Sequence, residues 1–440
     1  MSGSRPAETT RRFRVVSLGC KVNQAEAAAL AALLGGRGWR EAAEGGPADL
    51  AVLFTCAVTA TAGRQSRQMA RRLMRESGAV VAVGCDVQAG PAAYLEAGAG
   101  VVGRSGLAGL ADRADDLASD LAGFADPGPD LPLAAPETGP WCPGWRAPGG
   151  GRTRGLIKVQ DGCDAACAYC IVPTTRGRSR SLPAEQAAAV MAELGAAGAA
   201  EVVLTGIHLG RWGLDQPGAP DLVGLLRALL AAHPAPWLRL SSLEASEITP
   251  ALIALMAAEQ RLCAHLHAPL QTGSDRLLKA MGRPYSAAQY ADTIRQAAAA
   301  LPGLCLGADV MVGLPGEQAA DFSQTEALIA GLPLAYLHVF PYSPRPGTPA
   351  ASLPGRVPGP VAKARAARLR RLGEAKRQAF LASLAGQRHR ALVEGHGLAR
   401  TGNYALVSLD RAMPAGAVVE VVLGEPVATP QGPGLSGRVV

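Results

Sequence analysis

The first 125 residues alternate short apolar runs with stretches rich in alanine and leucine. The apolar runs at 14–18, 50–54 and 80–83 are nearly continuous, which is typical of parallel strands buried on both faces. The stretches between them have the length and composition of helices. This alternation predicts a small α/β domain over residues 12–125.

A second series of strand-like runs lies between residues 155 and 340. These runs occur at 156–159, 202–205, 238–240, 265–269, 306–312 and 336–340, with helical segments between them. Six strands alternating with helices predict a parallel α/β sheet curled into a partial (βα)6 barrel, with its chemistry at the carboxyl ends of the strands. We place this domain at 151–384, after a Pro- and Gly-rich linker at 126–150.

The last part of the chain is β-rich. A helix is predicted at 361–384, and the runs at 391–394, 404–409 and 418–423 follow it, separated by Gly and Asn. This pattern predicts a small antiparallel β-barrel of about five strands at 385–440. The fold class is therefore α/β, with a small C-terminal barrel.

Composition narrows the location and the partners. The 440 residues contain no apolar stretch near the ~20 residues of a membrane span, and the start MSGSRPAETTRRFR lacks the apolar segment of a signal peptide. We therefore expect a cytoplasmic protein with no membrane partner. In a reducing compartment, nine cysteines favour ligands or catalysis over disulfides, and the net charge of +7 is compatible with a polyanionic partner.

The strongest motif is CxxxCxxC, formed by Cys163, Cys167 and Cys170 just after the first strand of the second domain. Three thiolates on a [4Fe–4S] cluster leave one iron open to bind S-adenosylmethionine (SAM), whose reductive cleavage gives a 5′-deoxyadenosyl radical. The competing interpretation is a structural zinc site, which normally needs four protein ligands. No fourth Cys or His lies nearby in the sequence, so the motif predicts a radical SAM enzyme in which these three cysteines are catalytic.

From about residue 14 to the C terminus the chain resembles the methylthiotransferases of the radical SAM superfamily. The matching residues are Cys20 in SLGCKVNQ, Cys56 in FTCAVT and Cys85 in VGCDVQ. The resemblance implies that these cysteines hold a second [4Fe–4S] cluster, and that the C-terminal barrel is a TRAM domain for an RNA or protein substrate. Each cysteine follows a strand-like run, so we expect the three to meet at one sheet edge; buried structural cysteines are the alternative.

Within the family, SLGCKVNQ, CIVPTTRGRSRS and HLHAPLQTGSD resemble the branch that methylthiolates N6-threonylcarbamoyladenosine beside the tRNA anticodon. The resemblance implies two uses of SAM, one to methylate sulfur at the second cluster and one to remove hydrogen from C2 of adenine. It also implies an electron donor such as flavodoxin or ferredoxin. Phe54, Asp86 and Val87 depart from the family pattern without removing a ligand.

Three alternatives stay open at this point. The same chemistry acts in other branches of the family on isopentenyladenosine in tRNA, or on a side chain of a ribosomal protein. From a different functional class, an RNA-binding protein with purely structural metal centres would also combine cysteines with a basic C-terminal part.

Other residues are assigned by position. The resemblance and the strand ends together predict a SAM pocket from Tyr169, Thr205, Gly206, Ser241, Glu244, Gln271 and Gly313. Ser242, His265, His267 and Gly316 belong to the same strand ends. Clustered cations predict contacts with RNA at Lys363, Arg370 and Arg371, and with either a tRNA phosphate or the SAM carboxylate at Arg176, Arg178 and Arg180. Solvated charged faces are the alternative.

Overall fold

A computed structural model describes residues 10–43, 45–103, 109–119 and 153–440. The linker predicted at 126–150 lies outside the described residues. The chain divides into two compact units, and residues 162–164 and 171–178 belong to the first together with the N-terminal part. The second unit contains 153–161, 165–170 and 179–440. Within the described ranges, no helix combines the length and the apolar character that a bilayer span requires.

The first unit is α/β. Its strands are β1 (Arg12–Ser17), β2 (Arg40–Glu41), β3 (Ala48–Thr55), β4 (Ser77–Gly84) and β5 (Gly100–Val102). Its helices before residue 120 are α1 (Lys21–Gly36), α2 (Ala60–Glu76), α3 (Cys85–Ala89), α4 (Ala92–Leu95) and α5 (Ala114–Ser119). The strands pair in parallel in the order β2-β1-β3-β4-β5.

Apolar clusters cover both faces of this sheet, which explains the continuous apolar runs in the sequence. Alternate residues of β3 enter opposite clusters, with Leu50 and Phe54 on one face and Leu53 on the other. Each fully buried large apolar side chain contributes about 1.5–3 kcal/mol. Phe54, one of the departures from the family pattern, is fully buried in the cluster that contains Leu30 and Leu34. Its role in this chain is packing.

The second unit begins with β6 (Arg154–Lys158) and β7 (Gln160–Asp161); helix α6 (Val172–Arg176), which follows in the chain, belongs to the first unit. The next elements are β8 (Arg180–Ser181), α7 (Ala184–Ala196), β9 (Glu201–Thr205), α8 (Leu222–Ala232), β10 (Trp237–Leu240), α9 (Pro250–Ala258) and β11 (His265–His267). They are followed by α10 (Asp275–Ala280), α11 (Ala287–Ala300), β12 (Cys305–Val312), α12 (Ala319–Gly331), β13 (Tyr336–Pro341) and α13 (Gly359–Ser383).

The six predicted strands of this unit are β6, β9, β10, β11, β12 and β13. They form two parallel three-stranded sheets, in the orders β6-β9-β10 and β11-β12-β13. A single parallel bridge between Leu238 and Leu262 connects β10 to the residues just before β11. The sheet that the sequence predicts as one curled layer is therefore divided in the middle.

The C-terminal strands are β14 (Arg388–Gly395), β15 (Leu398–Thr401), β16 (Leu406–Leu409), β17 (Val418–Thr429) and β18 (Gly432–Val439). They close into a barrel in the order β14-β15-β16-β18-β17. The prediction of a wholly antiparallel barrel is wrong for one pair, because β16 and β18 run parallel. Strand directions cannot alternate all the way round a closed ring with an odd number of strands, so one pairing has to be parallel.

A buried ionic network joins this barrel to the first sheet of the second unit. Arg239 on β10 donates to both carboxylate oxygens of Glu201 on β9, at 2.6 and 3.0 Å. Arg154 on β6 lies 2.8 Å from Glu201 and 2.5 Å from Glu394 on β14. Arg239 also donates to the backbone oxygen of Thr401 at 3.3 Å. Because Arg239 and Glu201 are almost completely buried, each depends on the other for charge compensation.

Candidate active site

Three cysteines of the first unit lie at the carboxyl ends of neighbouring parallel strands. Cys20 follows β1 and precedes α1, Cys56 follows β3, and Cys85 begins α3 directly after β4. Gly19 has a φ of 95°, and a Cβ at this position would lie 2.6 Å from Cys56 Sγ. Only glycine allows this approach and this backbone conformation. The structure therefore brings the three cysteines together at one sheet edge.

The thiols of this edge interact electrostatically. Burial raises the pKa of the Cys56 thiol to about 11, and the neighbouring Cys20 and Cys85 contribute to the same upward shift. Three thiolates this close repel one another unless a cation takes them as ligands, and metal binding then releases their protons. Three converging sulfur donors fit an iron–sulfur cluster.

A buried arginine compensates charge at the cysteine edge. Arg176, the last residue of α6, donates through Nη2 to Asn23 Oδ1 at 2.7 Å and through Nε to Cys85 Sγ at 3.2 Å. Its Nη1 lies 3.4 Å from Glu26, and both side chains of this ion pair are buried. The prediction that Arg176 contacts RNA is therefore wrong, because its guanidinium has no exposed surface to offer a phosphate. Arg178, two residues further on, is exposed and lies 3.7 Å from Asp164.

Two further polar side chains hold the cysteine-bearing loops. Asn23 donates through Nδ2 to the backbone oxygens of Leu18 at 2.8 Å and Thr55 at 2.9 Å, so it links the loops after β1 and β3. The Thr55 hydroxyl donates to Val83 O at 2.9 Å and accepts from the backbone N–H of Val87 at 3.2 Å. Together Asn23 and Thr55 fix all three loops through backbone hydrogen bonds.

The remaining departures from the family pattern, Asp86 and Val87, have structural partners. Asp86 accepts from Arg67 at 2.7 Å and from the Tyr94 hydroxyl at 2.8 Å, beneath the cysteine edge. Val87 is fully buried in the cluster that contains Leu53. Both residues therefore stabilise the loop after Cys85, and neither replaces one of the three cysteines.

The loop with the CxxxCxxC motif is held by backbone hydrogen bonds in each unit. In the first unit, Cys163 N donates to Gly177 O at 2.9 Å. In the second, Cys170 N donates to Cys167 O at 3.0 Å, which closes a tight turn between these two cysteines. Ala168 N donates to Met281 O at 3.0 Å, so this turn is anchored to the segment after α10. These hydrogen bonds fix the backbone of the loop around Cys163 and between Cys167 and Cys170.

Arg283 connects three of the predicted site residues of the second unit. Its Nη1 donates to Cys167 Sγ at 3.1 Å and to the Tyr169 hydroxyl at 3.4 Å, and its Nη2 forms an ion pair with Glu244. Burial raises the pKa of Glu244, and the charge of Arg283 opposes this shift. The Arg283 side chain is only 3% exposed, so this donor is fixed beside the motif.

Three further predicted pocket residues lie at the ends of β9 and β10. Thr205 is buried, and a Cβ on Gly206 would lie 2.9 Å from the Cβ of Gln160, so glycine is required here. Gln160 in turn accepts from the backbone N–H of His208 at 2.7 Å. The Ser241 hydroxyl is buried and has no hydrogen-bond partner among the described residues. An unsatisfied buried hydroxyl fits a position that contacts a bound ligand.

Gln271 and Gly313 follow the strands of the second sheet. Gln271 has a φ of 66°, unusual for a residue with a side chain, and its backbone bridges Val310 in β12. Such strain is concentrated at functional sites. Gly313 has a φ of 76°, and the position of its missing Cβ is 2.9 Å from Ala362 in α13. The close approach that this glycine permits is therefore to a helix of the same unit.

A row of polar side chains crosses neighbouring strands of this unit, with Asp309 inside β12 and His338 inside β13. The Ser242 hydroxyl lies 2.8 Å from His267 Nδ1, and His267 Nε2 lies 3.2 Å from Asp309 Oδ1. His338 Nδ1 is 3.1 Å from the same oxygen of Asp309. The row runs from the end of β10 across β11 and β12 to β13.

Comparison with known proteins finds a family match for the N-terminal unit and another for the region that contains the CxxxCxxC motif. Residues 12–103 match the Uncharacterized protein family UPF0004, and residues 157–329 match the Radical SAM superfamily. The chain is 32% identical to "Threonylcarbamoyladenosine tRNA methylthiotransferase MtaB" of Rickettsia prowazekii, over 94% of each protein. This chain belongs to the radical SAM methylthiotransferase family. Radical SAM proteins use a [4Fe–4S] cluster and SAM.

The chain is also similar to a second methylthiotransferase and, in fold, to a solved structure outside that family. The "tRNA-2-methylthio-N(6)-dimethylallyladenosine synthase" of Novosphingobium aromaticivorans is 34% identical, over 90% of each protein. Among solved structures, the radical SAM methyltransferase TsrM from Kitasatospora setae aligns with a TM-score of 0.56 at 16% identity, over 78% of this chain and 74% of that chain. At this identity the resemblance shows a shared fold.

Several site residues of this methylthiotransferase were not found from its sequence. Arg283 lies outside the recognisable motifs, whereas Gln160 stands three residues before Cys163 and Asp309 lies in the run GADVMVGLPGE. Neither Gln160 nor Asp309 was assigned a role. The remaining cations in the RNA prediction are Arg180, which is half-buried on β8, and three exposed residues of α13, Lys363, Arg370 and Arg371.

Proposed function

We propose that this methylthiotransferase modifies C2 of N6-threonylcarbamoyladenosine beside the anticodon of tRNA, giving 2-methylthio-N6-threonylcarbamoyladenosine. The observation that carries the proposal is the presence of two cysteine triplets in a chain 32% identical, over 94% of its length, to a relative named for this reaction. A purely structural metal protein needs neither the open-iron motif nor a second triplet.

In this proposal Cys163, Cys167 and Cys170 bind the cluster that activates SAM, and Cys20, Cys56 and Cys85 bind the second [4Fe–4S] cluster. The convergence of the second triplet at one sheet edge supports its role as a ligand set. The domains are 12–125 for the second cluster, 151–384 for radical chemistry and 385–440 for a TRAM-like module, with a linker at 126–150. Tyr169, Thr205, Gly206, Ser241, Glu244, Gln271 and Gly313 form the SAM pocket.

When bound, the clusters and SAM would supply the radical that removes the C2 hydrogen and the methylthio group that takes its place on that carbon. The side chains of this protein position the cluster ligands and shield them from water. Arg283 holds Glu244 and donates to Cys167, while Arg176 donates to Cys85 and neutralises Glu26. Both arginines are buried, so their donors act without competition from water.

The exposed cations of α13, namely Lys363, Arg370 and Arg371, precede the C-terminal barrel and supply charge for the tRNA backbone. Small barrels of this type commonly bind nucleic acid in a basic groove. We place the protein in the cytoplasm with its tRNA substrate. A flavodoxin or ferredoxin would supply the electron.

Methylthiolation of isopentenyladenosine is the second candidate. It is favoured by the 34% identity to the dimethylallyladenosine synthase of Novosphingobium aromaticivorans. A ribosomal protein acceptor has no comparable support among these relatives.

Deletion of the gene should abolish 2-methylthio-N6-threonylcarbamoyladenosine in cellular tRNA, and wild-type complementation should restore it. Complementation with Cys163→Ala should not, because the cluster that cleaves SAM would lose one of its three thiolates. Mass spectrometry of digested tRNA measures both outcomes. Cys263→Ala, at a buried cysteine outside both triplets, is the matched control and should restore the nucleoside. Loss of 2-methylthio-isopentenyladenosine instead would establish the second candidate.

Replacement of Arg283 by methionine should make the reduction potential of the cluster at Cys167 more negative, because an N–H donor to a ligand sulfur is lost. We expect SAM cleavage to slow by about tenfold, as for the loss of one charged hydrogen bond. An EPR-monitored redox titration and the yield of 5′-deoxyadenosine measure these effects. Arg295→Met, in the exposed part of α11, is the control. An unchanged potential would exclude this role for Arg283.

A further inference from the structure

The row of Ser242, His267, Asp309 and His338 opens toward solvent at one end. The side chains of His267, Asp309 and His338 are 9%, 28% and 54% exposed, so accessibility rises along the row. The proposed function assigns no role to Asp309 or His338. Phe340, two residues after His338 on β13, is an unusually exposed aromatic whose ring centroid lies 6.4 Å from that of His338. The exposed end therefore combines polar groups with an aromatic face.

Asp309 is held as a charged hydrogen-bond acceptor. Burial favours the neutral acid, but hydrogen bonds from His267 and His338 outweigh it and hold the pKa of Asp309 well below its usual range. Both imidazoles approach Oδ1, at 3.2 and 3.1 Å. Neither of these two contacts involves Oδ2, so this oxygen can accept a hydrogen bond from a ligand.

His267, Asp309 and His338 each offer one atom that could bind a metal, an imidazole nitrogen or a carboxylate oxygen, and these three atoms lie within 4.8 Å of one another. Two imidazoles and a carboxylate can bind a divalent cation. Here, however, His338 Nδ1 forms a hydrogen bond with Asp309 Oδ1, so this nitrogen already has a partner, and His267 Nε2 lies 3.2 Å from the same oxygen. This arrangement favours recognition of a polar organic group over a metal site.

We propose that Asp309 and His338 recognise the polar N6 substituent of the substrate adenosine and reject an apolar one. This inference rests on the proposed function. The threonylcarbamoyl group carries N–H and O–H donors, which can hydrogen-bond to Asp309 Oδ2. It also carries a carboxylate, which can face Nε2 of His338. A neutral imidazole accepts from a hydroxyl at Nε2, and a protonated one donates to a carboxylate. Phe340 offers a face on which a purine can stack.

An isopentenyl group would make none of these hydrogen bonds. It would cover Asp309 with carbon and leave a carboxylate oxygen desolvated, which is costly. Sites built to hydrogen-bond a substrate discriminate strongly against analogues that lack the polar group. The row therefore accounts for a preference between the two candidate nucleosides that overall sequence identity does not separate.

The test compares His338→Phe and Asp309→Asn with the wild-type holoenzyme, using anticodon stem-loop RNAs that carry threonylcarbamoyladenosine or isopentenyladenosine. His338→Phe keeps the ring size and removes both nitrogens. We expect KM for the threonylcarbamoyl RNA to rise by about ten- to a hundredfold, with kcat nearly unchanged. The ratio of kcat/KM for the threonylcarbamoyl RNA to that for the isopentenyl RNA should fall. Formation of 5′-deoxyadenosine without RNA should stay at the wild-type rate.

His396→Asn is the control for loss of an imidazole, since His396 is exposed with a φ of 53° that asparagine tolerates. An unchanged KM with slower SAM cleavage would show that the row serves SAM and would overturn the inference. The inference would also be overturned if a chelator inactivated wild type but not His338→Phe, and added Zn²⁺ then restored the activity of wild type. Wild type that is inactive on the threonylcarbamoyl RNA would overturn the proposed function itself.

Discussion

Replacing Arg176 with methionine should destabilise the first unit by about 3–5 kcal/mol and remove roughly half of the bound iron. The variant breaks the buried ion pair between Arg176 and Glu26, and removing one partner of such a pair costs far more than the pair contributes. It also removes the donors to Cys85 and Asn23, and Asn23 holds the loops before Cys20 and Cys56. Urea unfolding of the purified chain and iron and sulfide analysis after reconstitution measure the two effects.

Two further variants separate charge from geometry in this prediction. Arg176→Met combined with Glu26→Gln removes both charges of this ion pair, so most of the lost stability should return, whereas the iron deficit should persist. Arg178→Met changes an exposed arginine two residues away and should alter stability by less than ~0.5 kcal/mol. Full iron content in Arg176→Met would refute a positioning role for Arg176 at the second cluster.

Glu201→Gln is expected to destabilise the second unit by a similar amount, about 3–5 kcal/mol. The substitution leaves the buried guanidinium of Arg239 without a carboxylate and removes one of the two partners of Arg154. Because Arg154 also pairs with Glu394, loss of Glu201 weakens the connection between the barrel and the first sheet. Glu420→Gln, in an exposed pair with Arg388, is the matched control and should have little effect.

The pKa shift of Glu201 predicts how the stability difference between wild type and Glu201→Gln changes with pH. Burial alone would raise the pKa of Glu201, but Arg239 and Arg154 outweigh it and lower the pKa below its usual value. A depressed carboxylate pKa stabilises the fold above the unfolded-state pKa of ~4.3, and this contribution is lost as pH falls through the folded-state value. The stability gap between wild type and Glu201→Gln should therefore shrink as pH falls below ~4.3. Urea titrations between pH 3 and 7 would show it, and a constant gap would contradict the assignment.

Much of the fold follows from local pattern. The apolar runs locate β3, β4 and the six parallel strands of the second unit to within a few residues, because alternation and burial are properties of each segment. The division of those six strands into two sheets and the parallel β16–β18 pair were not predicted. Both depend on how strands close around a core, which no single segment encodes.

The candidate site shows the same division. The CxxxCxxC spacing nominates Cys163, Cys167 and Cys170, and the family resemblance nominates Cys20, Cys56 and Cys85, each just after a strand-like run. The contacts of Arg176 join residues 91 to 153 positions apart, and those of Arg283 reach Cys167 from 116 positions away. The sequence shows only that both are arginines, and Arg176 even suggested a surface contact with RNA. Burial reverses that assignment, because a guanidinium without solvent exposure can pair only with what the fold places beside it.

The sequence by itself determined the CxxxCxxC triplet and the order of strands and helices, because these are carried by local spacing and periodicity, and its resemblance to a family pointed to the second triplet. Tertiary structure alone decided which charges are buried together. It placed Arg176 with Glu26, Arg239 with Glu201, and Asp309 between His267 and His338. The physical reason is that the pairing of a buried charge depends on which strand ends meet in space, and that is set by sheet register and chain closure.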